Sequence, residues 1–130
     1  IMKNLLYLFL ALFIFACSTD SEDNTLPAYT VEGKWLWSPS ENRIDANTMY
    51  EYENGIRYTS YADCRPELCT DADFNALDSS DRIQGTDTYT FNDDTLIIDE
   101  IPLEVTFECD GGILLFSNGG KLWRLNSECD

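Results

Sequence analysis

Leu103, Val105, Phe107 and Cys109 alternate with Glu104, Thr106, Glu108 and Asp110, the period of a strand with one face in a core and one in water. Asp110-Gly111 then supplies a tight turn that sets Phe107 opposite Leu114 and Val105 opposite Phe116. A second turn at Asn118-Gly119 sets Leu114 opposite Trp123, so one apolar face continues through three strands. Upstream, Asp93-Asp94 folds Tyr89 and Phe91 onto Ile98 and Leu96. The Glu53-Asn54-Gly55 hairpin admits two registers. A two-residue loop puts Tyr52 opposite Arg57 and spreads the aromatics over both faces. A three-residue loop with Gly55 left-handed sets Tyr50 opposite Tyr58, Tyr52 opposite Ile56 and Glu51 opposite Arg57, and this is the register the pattern favours.

The pattern predicts an all-β domain of about eight strands, near residues 31–37, 47–53, 56–61, 86–92, 95–99, 102–109, 112–117 and 121–126. Because the resolvable neighbours are joined by hairpins, the expected architecture is an antiparallel up-and-down barrel, whose closure removes exposed edges. Residues 62–85 form an acidic insertion between strands 3 and 4, with one helical turn expected at the capping-box run Thr70-Asp71-Ala72-Asp73. A barrel of this size is either filled by side chains or holds one small ligand. The candidates for its lining or core are Trp35, Trp37, Tyr50, Tyr52, Tyr58, Tyr89, Phe91, Phe107, Phe116 and Trp123. Glu51, Glu104 and Glu108 alternate onto the wet face.

The start of the chain reads differently. Lys3, the apolar run Leu5 to Phe15 and then Ala16-Cys17 have the order of a secretory leader, too short to span a bilayer. Ile14-Phe15-Ala16-Cys17 resembles the lipobox of bacterial lipoproteins. That resemblance implies cleavage before Cys17, a diacylglyceryl group on its thiol and acylation of the new amino group, and two or three chains anchor stably where one does not. Ser18 after the cysteine resembles lipoproteins passed on to the outer membrane, and Asp20, Glu22 and Asp23 resemble the export tag of Bacteroidota surface lipoproteins. The expected organisation is a leader at 1–16, a lipidated cysteine and acidic linker at 17–29, and the barrel at 30–130. The expected location is the outer membrane, lipid-anchored and exposed at the cell surface if the tag operates.

Of five cysteines, assigning Cys17 to lipid leaves Cys64, Cys69, Cys109 and Cys129. An exported compartment is oxidising, and four cysteines allow three connectivities. The short spacing around Pro66 favours a local Cys64–Cys69 clip, leaving Cys109 for Cys129. The last strand returns to the end of the sheet that holds Asp110-Gly111, which agrees with that pairing. The chain carries 24 acidic against 8 basic side chains, a net charge of −16. Such a surface repels nucleic acid and anionic lipid head groups. It has no histidine, which removes the Ser-His-Asp and Cys-His arrangements and His-containing metal sites.

Gly33-Lys34-Trp35 on the first strand resembles the Gly-x-Trp signature of lipocalins, and Thr86 to Asn126 resembles the meander of lipocalin-like domains in small bacterial lipoproteins. The resemblance implies that Trp35 plugs one end of the barrel and that an arginine near the last strand stacks across it. Arg124 is the candidate, although alternation between Trp123 and Leu125 points it outward. Asp71, Asp73, Asn75 and Asp78 have the spacing of a calcium loop, but Ala76 and Arg82 stand where an EF-hand needs Gly and Glu. No metal or cofactor is therefore expected, and a carboxylate-pair hydrolase cannot be located among 24 acids. The reading is a non-catalytic, membrane-anchored binding module for a small apolar ligand. The alternative is a filled barrel whose loops bind an envelope protein or glycan.

Overall fold

The structure is a computed structural model that describes residues 29–130. The expected leader, Cys17 and the linker up to residue 28 lie outside the described residues. Eight strands form: β1 (Gly33–Trp37), β2 (Thr48–Glu53), β3 (Ile56–Tyr61), β4 (Asp87–Asn92), β5 (Thr95–Ile98), β6 (Ile101–Glu108), β7 (Ile113–Phe116) and β8 (Lys121–Arg124). They close into an antiparallel barrel in chain order, with β1 returning to β8 through Trp35 opposite Arg124 and Leu36 opposite Trp123. Each strand falls at its expected place. The β6–β7 and β4–β5 registers also agree, with Phe107 opposite Leu114 and Phe91 opposite Leu96. Both disulfides, Cys64–Cys69 and Cys109–Cys129, are formed.

Two hairpins differ from expectation, in opposite senses. The β2–β3 loop has two residues, Asn54 and Gly55 at φ 51° and 81°. That pair of left-handed residues matches the natural twist of the strands, so the local turn outweighs the grouping of aromatics. Tyr52 lies opposite Arg57 and Glu51 opposite Tyr58. The β7–β8 loop instead has three residues, Ser117 to Gly119, closed by the Phe116 N–H donating to the Gly120 carbonyl (2.8 Å) with Gly119 at φ 91°. Leu114 therefore faces Leu122, and Trp123 faces Ile113. A shift of one residue turns every β8 side chain over.

The chain builds two cores. Inside the barrel, Val31, Trp35, Tyr52, Tyr89, Leu96, Val105, Leu114 and Leu122 are buried together. On the outer wall, Leu36 of β1, Met49 of β2, Ile113 of β7 and Trp123 of β8 are buried with Ala46, Phe74, Leu125 and Cys129. The wall is covered by the insertion and the C-terminal tail. The helical turn α1 (Asp71–Asn75) starts with Asp73 accepting from the Thr70 N–H (2.7 Å), and seats Phe74 at 1% exposure. Arg43 holds this cover in place: it pairs with Asp71 (2.9 Å) and donates to the carbonyls of Ser127 and Cys129. Asn75 and Asn126 join α1 to the tail, which Cys109–Cys129 ties to the β6–β7 turn.

The insertion is thus a structural layer. Phe74→Ala is expected to destabilise the fold by about 3 kcal/mol, as for a truncated core aromatic, while Leu68→Ala, 53% exposed, stays within roughly 0.5 kcal/mol. Denaturant unfolding of the two variants checks the contrast.

Candidate functional site

The two ends of the barrel are built differently. At the end where β1 begins, the Trp35 indole N–H donates to the Val31 carbonyl (2.8 Å), and the Arg124 guanidinium lies 4.2 Å from the Trp35 ring centre. Arg124 donates to the carbonyls of Thr30 (2.7 Å), Glu32 (2.9 Å) and Gly111 (3.1 Å). It points inward, not outward as alternation suggested, because the three-residue β7–β8 loop turned β8 over. Gly33, at φ 113°, leaves the guanidinium its room: a Cβ there would stand 3.1 Å from Arg124 Nη1. Phe107 packs against Tyr29, Trp35 and Phe91, with ring centres 5.5 to 6.3 Å apart. The Tyr89 hydroxyl donates to the Glu32 carboxylate. This end is plugged.

The other end is less complete. Trp37, Thr48 and Tyr61 form one row across β1, β2 and β3, with Trp37 39% and Tyr61 59% exposed. Behind the row, the inward-facing Tyr50, Leu103 and Phe116 are only partly buried against the inner core. Arg57 also faces inward here, since its partner Tyr52 does, and it holds Asp87 (2.9 Å from Nε) while lying 4.7 Å from the Tyr50 ring centre. That hydrogen bond keeps the Asp87 carboxyl below its ordinary pKa. Burial raises the Tyr52 phenol, whose hydroxyl has no hydrogen-bond partner among the described residues.

A cleft of about 530 Å³ opens beside this rim, under the Cys64–Cys69 clip. Tyr61, Leu68, Asp45, Asn47, Asp63 and Glu67 contribute to its walls. A smaller cleft of about 240 Å³ lies between the Arg43 loop and α1. Sequence reading singled out none of the first cleft's residues except the two cysteines. The available signal was Tyr61 standing three positions before Cys64, outside the expected aromatic core.

The expected lining residues divide. Trp35, Tyr52 and Tyr89 lie in the inner core, with Tyr50, Phe91, Phe107 and Phe116 packed against it. Trp37 faces inward but stands exposed at the rim. Tyr58 is on the outside, because the two-residue loop pairs it with Glu51; Arg82 covers its ring at 3.8 Å and pairs with Glu51 (2.8 Å). Trp123 belongs to the outer core, its indole N–H without a partner among the described residues. The calcium candidates do not converge. Asp71 binds Arg43, Asp73 caps Thr70, Asp78 caps Ser80 (2.7 Å) and Asn75 bonds Asn126. Among the described residues no group of three or more acidic, cysteine or histidine side chains is placed to hold a metal.

No known family model, curated protein or solved structure matches this chain. Its class therefore rests on its own geometry: an eight-stranded antiparallel barrel, plugged at one end by Trp35 under Arg124 and open-rimmed at the other.

The plugged end has a titration signature. Burial, then the bond to Glu32, pushes the Tyr89 phenol up to about 12. The neutral phenol therefore contributes its stability fully below the ordinary value of 10.0, and loses it as pH rises toward 12. Following phenolate absorbance against pH is expected to show buried tyrosines ionising late, with the component near pH 12 lost in Tyr89→Phe.

Proposed function

We propose that this protein is a non-catalytic binding module of the cell envelope, anchored through lipid on Cys17, which engages its partner at the open end of the barrel. The difference between the two ends carries this reading. The plugged end spends Arg124 on backbone carbonyls and Trp35 on Val31. The opposite end leaves Trp37 and Tyr61 exposed beside a cleft of about 530 Å³. Exposed aromatics grouped at a rim are the usual material of a recognition surface, since they add large contact area at small entropic cost.

The described chain enters at the plugged end, where Tyr29 packs on Phe107. A tether to Cys17 joined there leaves the open end on the far side of the barrel. Non-catalytic action is supported by the absence of histidine from the sequence and by the engagement of three acids at the rim, Asp87 by Arg57, Asp63 by Arg65 and Asp45 by Ser40, which leaves Glu67 there without a paired acid. With 24 acids against 8 bases, a nucleic acid partner is disfavoured.

A second reading, a small apolar ligand seated in the mouth itself, is favoured by the partial burial of Tyr50, Leu103 and Phe116 on the inner face. The two readings separate experimentally. If the rim is the binding surface, envelope components retained by the protein are lost in Trp37→Ala/Tyr61→Ala and kept in Ile97→Ala, an exposed site on the outer wall. If the mouth holds a ligand, a neutral solvatochromic dye binds with its emission blue-shifted, and Leu103→Trp blocks it. Retention that survives the Trp37/Tyr61 change, together with no dye binding, rejects the proposal.

A further inference from the structure

Each of the five arginines of this chain is engaged by groups of the chain itself. Arg43 holds Asp71 and the tail, Arg57 holds Asp87, Arg65 holds Asp63, Arg82 holds Glu51, and Arg124 holds three backbone carbonyls. The cleft under the clip is acidic on balance: its walls carry Asp45, Asp63 and Glu67 against the single guanidinium of Arg65. Arg65 is itself bound to Asp63 through two hydrogen bonds, of 2.9 and 3.0 Å. Glu67 makes no ion pair among the described residues. The rest of the opening is apolar, with Tyr61 59% and Leu68 53% exposed.

An anionic ligand would face three carboxylates here against one guanidinium, Arg65, which Asp63 already engages. A divalent metal is not served either, since among the described residues no three carboxylates converge. What fits is a positive charge carried on a flexible apolar stem. The stem covers an aromatic ring and a leucine, the ring face attracts the cation, and a carboxylate at the lip takes the charge. The volume, about 530 Å³, suits one or two long side chains with their backbone.

Resting on the open-end reading above, we infer that this cleft binds a lysine- or arginine-bearing segment of a partner protein, with Tyr61 and Leu68 receiving the side-chain stem and Glu67 its charge. The Cys64–Cys69 bond closes the clip that carries Glu67 and Leu68, so the receiving groups are held by a covalent loop before the partner arrives.

The test titrates the whole chain with a short peptide of alternating lysine and serine, and with a glutamate–serine peptide of equal length. The lysine peptide is expected to bind and the glutamate peptide not. Tyr61→Ala and Glu67→Gln should each weaken binding about threefold. Glu104→Gln removes one exposed charge from β6, away from the cleft, and should change nothing beyond the small loss expected from diffuse attraction. Unchanged unfolding midpoints in all three variants exclude loss of fold as the cause. Equal weakening by Glu104→Gln reduces the binding to diffuse attraction by a −16 chain and overturns the inference. Absence of lysine-peptide binding also overturns it, and leaves the open-end reading standing if the Trp37/Tyr61 pair is still required for retention of envelope components.

Discussion

The barrel depends on one contact between its first and last strands, Arg124 laid over Trp35. β1 and β8 pair directly at only two positions, Trp35 with Arg124 and Leu36 with Trp123. The guanidinium reinforces that short seam by gathering the carbonyls of Thr30, Glu32 and Gly111 from the two segments that flank it. A planar fork with fixed donors suits this work better than a flexible ammonium, and it stacks as it binds. Closing one end in this manner is what gives the molecule a front and a back. Trp37 and Tyr61 stay exposed at the other end because no comparable residue crosses them.

Around that seam the chain is apolar on both faces. In Gly33-Lys34-Trp35-Leu36-Trp37, Trp35 turns inward and Leu36 outward, and both are buried. The outward set, Leu36, Met49, Ile113 and Trp123, requires a cover, which the insertion supplies through Phe74 and the tail through Leu125 and Cys129. Arg43, Asp71 and the Cys109–Cys129 bond hold that cover from different sides. The acidic run over residues 62–85 therefore serves two ends. Its α1 half is part of the fold, while its Cys64–Cys69 half stands at the open rim with Glu67 and Leu68 exposed.

The two misread hairpins show where sequence reasoning lost its footing. Asn54-Gly55 was the stronger local signal for a two-residue loop, but grouping Tyr50, Tyr52 and Tyr58 on one face argued for the longer one. Such a grouping treats every aromatic as interior, whereas Tyr58 is satisfied outside, beneath Arg82. At Asn118-Gly119 a two-residue turn puts Trp123 on the inner face and Arg124 on the outer; the three-residue loop reverses both and gives Trp123 to the outer core. Strand composition does not say which face of a barrel wall is wet when a second layer covers it.

Alternation and turn chemistry were enough to determine the number, order and antiparallel pairing of the strands, and cysteine spacing, with Cys17 set aside, favoured the two disulfides that form out of three possible connectivities. These are local quantities, set by the two-residue period of the strand and the reach of a short loop. The tertiary structure decided which apolar residues face inward, that Phe74 belongs to a core, and that Tyr61 and Glu67 share a cleft with Asp45. Each of these depends on packing between segments distant in the chain, where burial is settled by what the neighbouring layer covers and no local pattern records it.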